Sequence, residues 1–497
     1  MTATPTQTRG EVSPSRLRRG LLRLGGLLQR AVGLVVLGTA VFASLLLLVL
    51  ANTDAEPRFG RPARRATVGL WEVFYDTEAP SMRVVLAAVA VALLLAAGVA
   101  WLEQRIAIRY RRSFDPIATP LAPRVVMGET RGVFAGPVTV TVLIPAHNEE
   151  VRIRATLQSL LAQSVPPQRI IVVADNCTDD TVAIAQSAGV EVLPTVGNRD
   201  KKAGALNQAL AELLPEQGEN DMVMVMDADT VLQPGFLETA MRKATDDRAL
   251  MAVGALFYGE EGHGLLGMFQ RNEYTRYARD IRRRRGRVYV LTGTASMFRP
   301  RALRTVAGSR GTLLPGRPGD VYDTAALTED NELTIALKSL GALMASPSDC
   351  MVVTEVMPTW RALWKQRLRW QRGALENLGA YGITPQTARY WSQQFAIAYG
   401  AIALLTYLML IVLMVLALDL WIWFPFWIGV GLVFVAERIV SVWQGGWGPR
   451  VLAASLFPEL LFALYLNVIF VKGVLDISLR RRAAWGHVPA TAPPGQA

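Results

Sequence analysis

Cysteine and histidine are nearly absent. Two cysteines, Cys177 and Cys350, and three histidines, at positions 147, 263 and 487, occur in 497 residues. Two thiols build no disulfide framework, and three scattered imidazoles build no histidine-based metal site. Several long stretches also lack charge altogether. Ala31–Leu50, Val84–Trp101, Phe395–Leu418 and Leu420–Ala436 hold no charged side chain, and Val451–Val471 is apolar but contains Pro458 and Glu459. About 20 apolar residues cross a bilayer as a helix. These runs, with a mean hydropathy of +0.27, exclude an ordinary soluble chain. No small-x-small cleavage site closely follows the first run, so it reads as an anchor rather than a removable leader.

The net charge of +11 follows this membrane pattern and implies no nucleic-acid partner. Residues 1–30 hold six arginines and one glutamate, and Arg105, Arg109, Arg111 and Arg112 follow the second run. Positive charge favours the cytosolic side, which places the amino terminus and the block after Trp101 in the cytosol. The carboxyl end conflicts. With about three further spans the tail falls outside, against the rule for Arg480, Arg481 and Arg482. Either the Pro458–Glu459 segment is re-entrant or interfacial, or the charge rule loses.

Between the apolar ends the pattern changes. "VTVTVLI" (138–144), "RIIVVAD" (169–175), "VEVLP" (190–194) and "DMVMVMDAD" (221–229) are short buried-strand runs. Helix-like segments, 149–162, 179–188 and 202–214, separate them. Alternating strands and helices imply a parallel sheet in an α/β domain, whose ligands sit beyond the strand carboxyl ends. Asn148 and Glu149, Asp175, and Asp227 with Asp229 all fall there.

Asp227 and Asp229, at i and i+2, point the same way when they leave a strand. Two adjacent carboxylates repel unless a cation lies between them, and hard Mg²⁺ or Mn²⁺ prefers such oxygen ligands. Alone, the pair is also accounted for by a strand-end turn. "TED" (328–330) precedes a helical run; it is either an N-cap or a carboxylate base. "RDKKAGALN" (199–207) puts lysines at a helix start, where an anionic ligand would relieve the clash with the dipole. The four arginines 282–285 read as a solvated or membrane-facing surface. "LWKQRLRWQRG" (363–373) reads as a basic interfacial helix.

In order, "IPAHNEE", "VVADNCTDDT", "KKAGALN", "MDADT", "TGTAS", "TED" and "QRLRW" resemble the membrane-embedded, processive family 2 glycosyltransferases. These are the synthases of cellulose, chitin, hyaluronan and poly-N-acetylglucosamine. The resemblance covers roughly 138–373. It implies a GT-A (Rossmann-like) α/β cytosolic domain inserted between transmembrane helices. It also implies inverting, processive transfer from a UDP-sugar donor to a growing glycan acceptor at the plasma membrane, among membrane lipids, with room for an accessory subunit. The alternative is a single addition to a lipid or lipid-linked glycan. The implied organisation is a basic segment (1–30), two spans (31–102), a linker (103–137), the catalytic domain (138–357), interfacial helices (358–390), about three spans (391–472) and a tail (473–497).

The resemblance also implies roles. Asn148, Glu149 and Asp175 would hold the nucleoside, with Lys202 beside the nucleotide. Asp227 and Asp229 would hold the diphosphate through Mg²⁺ or Mn²⁺. Asp330, with Glu329 beside it, would be the base. Gln366, Arg369 and Trp370 would form the Q-x-x-R-W element, Arg369 facing the diphosphate and Trp370 the acceptor sugar. Gly293 and Thr294 would lie near the acceptor end. Lys365, Arg367 and Arg372 are left to anchor the helix at headgroups. Three features depart from cellulose synthases: His147 before Asn-Glu, "MVVTEVMP" (351–358) where a gating motif F-x-V-T-x-K would stand, and too few residues after Val471 for a PilZ domain. An amino-sugar polymer or another β-linked glycan therefore fits better than cellulose.

Overall fold

Alternation along the β-branched runs divides the core into two layers. In Thr139–Ala146, Val140, Val142 and Ile144 pack on one face with Val172, Met222 and Met224, while Leu143 packs on the other with Val173, Val223 and Val225. A strand buried on both faces reads as a continuous apolar run, which is why these segments were legible. Helices Ile153–Leu161 and Phe236–Asp246 cover the first face. Helices Lys201–Leu213, Pro300–Ser309 and Glu329–Ser339 cover the second.

The structure is a computed structural model that describes residues 31–39, 41–42, 45, 64–68, 71–75, 82–131, 137–416, 422–423 and 425–481. The basic segment 1–30, much of Ala31–Leu50, Asp419 and the tail after 481 lie outside the described residues.

The seven-stranded sheet has the order Leu343–Ala345, Leu250–Gly254, Ala295–Phe298, Asp221–Met226, Thr139–Ala146, Arg169–Ala174, Glu191–Pro194. The last four strands are mutually parallel, as the alternating pattern implies. Ala295–Phe298, however, runs antiparallel to both its neighbours. The sheet is therefore mixed, a correction to the all-parallel reading. A smaller sheet joins Val231–Leu232, Met351–Thr354 and Leu256–Gly259 beside it.

The segment 103–137, expected as a linker, contains the helix Pro123–Glu129, and Leu121 and Val126 are fully buried in the second layer. Leu121 N donates to Leu340 O at 3.0 Å. The packed unit thus begins before Val138.

Long helices flank it: Met82–Arg112, Ala388–Leu416, Pro425–Ser441 and Phe457–Ser478. Among the described residues, one helix, Phe457–Ser478, meets both the length and the hydropathy needed to cross a membrane. The run Val451–Val471 is not one element. Leu456, in the left-handed region at φ +51°, separates Trp447–Ser455 from this helix. Pro458 then falls in the first turn, where its missing N–H costs nothing. Glu459 is buried but paired: Arg276 Nη2 donates to its two oxygens at 2.6 and 2.8 Å, and Asn272 and Arg438 also reach it. A paired carboxylate is tolerated where a lone one would not be.

Candidate active site

The strand ends converge as the topology requires. Asn148 and Asn176, each just past a strand, take left-handed φ of +58° and +52°, which asparagine tolerates better than most residues. Asn148 Oδ1 accepts the Thr178 amide at 2.8 Å, tying the two strand-end loops together. Asp175 Oδ1 takes three donors: Asn176 Nδ2 at 2.9 Å, Thr195 Oγ1 at 3.0 Å and Asn198 Nδ2 at 2.8 Å.

Gly293 sits at the centre of the next layer. Its carbonyl accepts the Asp227 amide at 3.1 Å, and its amide donates to Asp330 Oδ2 at 3.1 Å. A Cβ here would lie 2.7 Å from Lys202 Nζ and 3.0 Å from Asp227 Oδ2, so any side chain would push the two charges aside. Lys202 Nζ bridges Asp227 Oδ1 at 2.5 Å and Glu329 Oε1 at 2.9 Å. This is a built contact between motifs more than a hundred residues apart, not a solvated charge pair. Burial works against the Lys202 charge, but Asp227 and Glu329 outweigh it and hold its pKa well above the usual lysine range.

The capping reading of "TED" fails for Thr328 but holds in part for Asp330, which takes a first-turn amide. Helix Glu329–Ser339 starts at Thr328 with no side-chain cap. Thr328 Oγ1 instead meets Asn377 Nδ2 at 3.2 Å, and Asp330 Oδ1 accepts the Asn331 amide at 2.7 Å. Asn377 belongs to the basic helix Trp360–Tyr381. Gly373 of that helix abuts Thr328, where a Cβ would come within 2.5 Å of Oγ1. Small size at Gly373 therefore lets the basic helix close on the "TED" turn.

A cavity of 370 Å³ results. Lys202, Asp227, Asp229, Gly293, Thr294, Glu329, Asp330, Gln366, Arg369 and Trp370 all line it, with Lys202 and Glu329 in contact. Asn148, Glu149 and Asp175 are not in its lining. Glu149 nevertheless feels it: burial, then Asp229, Glu355 and Asp227, push its carboxyl up to about 8. Burial and Asp227 push Asp229 up to about 6. Burial and Glu329 push Asp330 up to about 6. Burial also acts on Glu329, but Lys202 and Arg369 reverse it and leave that group below the usual range. Perturbed carboxylates in a cleft make it a candidate functional site.

Residues 137–373 match the family model "Glycosyltransferase like family 2". The chain carries a family 2 glycosyltransferase domain. It is 30% identical over 247 residues to a probable glycosyltransferase, YdaM, of Bacillus subtilis, covering 47% of this chain and 54% of that protein. It is 28% identical over 246 residues to a poly-beta-1,6-N-acetyl-D-glucosamine synthase of Staphylococcus aureus, covering 48% and 55%. The chain thus spans about half the length of the curated relatives it matches. A mannosyltransferase from Pyrobaculum calidifontis, solved with GDP-Man and Mn²⁺, superposes with a TM-score of 0.46 at 16% identity, covering 80% of this chain and 99% of that one. The fold of the glycosyltransferase domain is GT-A-like, built on the mixed sheet described above.

Several groups of this cavity, though not Gln366, escape sequence reasoning. Glu355, which burial pushes up to about 7, lies in the strand-end "TEV", and buried Arg152 holds it at 3.1 Å together with Glu260. Phe257, Tyr274, Tyr277 and Tyr289 add aromatic surface beside Trp370. Gln366 Oε1 and Gln394 Oε1 are buried in this lining with no hydrogen-bond partner. Such orphan acceptors cost about 1–3 kcal/mol each until a donor arrives.

Arg367 corrects the division of charges on the basic helix. It is 5% exposed, donates to Glu273 at 2.9 Å and lies 4.2 Å over the Trp370 ring. It props Trp370 from behind and does not reach headgroups. Arg372 likewise pairs inward, with Glu376 at 2.6 Å and Arg481 O at 2.8 Å. Breaking a buried pair costs about 3–5 kcal/mol. Since Glu273 remains 39% exposed, Arg367→Ala is expected to cost about 2 kcal/mol. Exposed Lys365→Ala should shift stability by less than about 0.5 kcal/mol. Thermal unfolding of the two variants checks the difference; equal shifts would return Arg367 to the surface.

Proposed function

We propose that the domain transfers one sugar at a time, with inversion, from a UDP-sugar to the end of a growing β-linked glycan, and that the polymer leaves across the plasma membrane. The supporting observation is that one cavity is lined by Lys202, Asp227 and Asp229 together with Asp330, Arg369 and Trp370. The first three suit a nucleotide diphosphate and its cation, the last three an acceptor sugar and a departing diphosphate.

Asp330 is the base. Gly293 N and Asn331 N fix its two oxygens, and each keeps a lone pair for the acceptor hydroxyl. Direct displacement inverts the anomeric centre, so one base suffices. Glu329 holds Lys202 toward the phosphates. Arg369 offers the leaving diphosphate a bidentate fork. Trp370 gives the acceptor sugar an apolar face, while Gln366 accepts from one of its hydroxyls, and Gly293 and Thr294 form the floor beneath it. Asn148, Glu149 and Asp175 form the rim for the nucleoside; Asp175 Oδ1 is already occupied, leaving Oδ2 for a base N–H.

The donor set suits a divalent cation. Asp227 raises Asp229 by like-charge repulsion, which Mg²⁺ or Mn²⁺ would relieve. Among the described residues no cluster of three or more acidic, histidine or cysteine ligands exists, so the remaining oxygens would come from the donor diphosphate and water. Bound there, the ion supplies charge neutralisation to departing UDP.

Membrane insertion with a cytosolic domain, implied by the resemblance, is supported by apolar side chains left bare on the long helices. Leu405, Met409, Val412, Leu432, Val433 and Phe434 are all more than half exposed. Bare apolar side chains in such number call for lipid or a partner subunit to cover them.

The test uses the full chain in detergent or nanodiscs. UDP release is measured across UDP-glucose, UDP-N-acetylglucosamine, UDP-galactose and UDP-glucuronate, with Mg²⁺ or Mn²⁺. One donor is expected to yield a ladder of products. A single labelled lipid from the same donor would replace polymerisation by single addition.

The acid limb of the rate profile follows from Asp330. Its carboxyl, held at about 6, accepts a proton only when ionised. Turnover should therefore rise with pH through that value. A profile flat from roughly pH 5 to 8 would remove Asp330 as the base.

A further inference from the structure

A second cavity, of 210 Å³, lies apart from the catalytic one, where the helices Met82–Arg112 and Ala388–Leu416 meet the globular unit. Its lining includes Glu103 and Arg111 from the first helix, Arg287 and Lys338 from the globular unit, and Arg389 and Tyr390 from the second helix. A buried water needs about 10–15 Å³ of such space, so the cavity has room for a small polar ligand.

Its charge is unbalanced. The one carboxylate among the named groups is already engaged, with Arg389 Nε 2.9 Å from Glu103 Oε1. Burial moreover pushes Glu103 up, against the pull of Arg284, Lys338 and Arg287. Among the described residues Lys338 Nζ hydrogen-bonds only neutral groups, Tyr390 OH at 2.7 Å and Tyr289 O at 3.2 Å, and burial pushes it down to about 7 against the pull of Glu103, so the fixed positive charge of the pocket rests on its arginines. Among the described residues neither Arg111 nor Arg287 makes an ion pair. Arg111 and Arg287 line the pocket while remaining exposed; guanidinium groups so placed can hold phosphate oxygens bidentately, and basic pockets between membrane helices take phosphate headgroups. Leu102, one residue before Glu103, and Leu94 are exposed on the same helix.

We propose that this cavity binds a phosphate-bearing anion, either a lipid headgroup or a soluble phosphate ester, through Arg111 and Arg287 with Arg389 and Lys338 behind them. The site is not part of the catalytic machinery, and the proposal stands whether or not the polymerase reading does. Among the described residues the two cavities share no lining residue but are linked through Tyr289. Tyr289 lines the catalytic cavity, while its carbonyl is held by Lys338 and by Tyr390 OH at 2.6 Å, and its ring lies against that of Tyr390 at 4.8 Å between centroids, tilted by 32°.

The experiment uses the full chain purified in detergent. Retained phosphatidylglycerol and phosphatidylcholine are compared by native mass spectrometry, and glycerol 3-phosphate is titrated calorimetrically. The variants are Arg111→Gln with Arg287→Gln, the Arg111→Lys with Arg287→Lys pair as a charge-retaining control, and Arg111→Gln alone should the first pair unfold. Wild type is expected to prefer phosphatidylglycerol or to bind glycerol 3-phosphate. The glutamine pair should weaken that binding roughly tenfold or more, and the lysine pair should keep part of it. Lipid retention without glycerol 3-phosphate binding identifies a headgroup, and the converse a soluble ester. Binding of neither probe, or equal binding by a folded glutamine variant, overturns the proposal.

Discussion

Asp330→Asn is expected to lower the rate of UDP release about a thousandfold while leaving UDP affinity nearly unchanged, within the 10²–10⁴ range of a positioned acid or base. The amide keeps the shape of the carboxylate, and its oxygen can still accept the Gly293 amide that holds the floor in place. What it loses is the capacity to take a proton. The split between turnover and binding therefore matters. If UDP affinity collapses as well, the residue organises the pocket and another group is the base. If turnover survives, the assignment is wrong outright.

Asp229→Asn should have an effect of similar size by a different route. Removing one of two anionic ligands is expected to weaken Mn²⁺ binding, read directly by titrating the spin signal of free Mn²⁺ with UDP present. Turnover should fall about 10²–10³-fold, the scale at which one preorganised charge-stabilising contact acts. The contrast with Asp330→Asn is diagnostic: the first variant should bind Mn²⁺ normally, the second should not. Unchanged Mn²⁺ binding in Asp229→Asn would place the metal elsewhere.

The strands that carry these acids were legible because Val140, Val142, Ile144 and their counterparts are buried on both faces, which leaves an unbroken apolar signature. The direction of Ala295–Phe298 was not. Four residues carry no sign of polarity, and the long helix Gly264–Arg283 before them fixes which way the chain returns. Helix starts were placed early by two to four residues on Glu149 and Asp179, because strand-end turns with left-handed Asn148 and Asn176 occupy those positions. On the basic helix, composition could not separate Arg367 from Lys365. Their difference arises only from what packs beside each, Glu273 and Trp370 for one and solvent for the other. The same holds for Gln394, Tyr277 and Glu355, whose nearness to Asp330 comes from elements distant in sequence. Ordered motifs showed which residues carry charge, while packing decided which charges meet.

The Arg276–Glu459 pair makes a soluble fragment of this protein a poor reagent. A piece ending near residue 390 would keep Arg276 and lose the carboxylate it was built to meet. It would also uncover Phe269, whose ring stacks on Phe462 at 4.6 Å, and Leu363, which is fully buried in the same cluster. Gel filtration of such a fragment should show aggregates, and adding back detergent should not restore a monomer, since the missing surface is a specific socket and not a greasy face. Arg276–Glu459 and Phe269–Phe462 pack the globular unit and the helix Phe457–Ser478 directly together, so whatever anchors that helix also holds the globular unit in register.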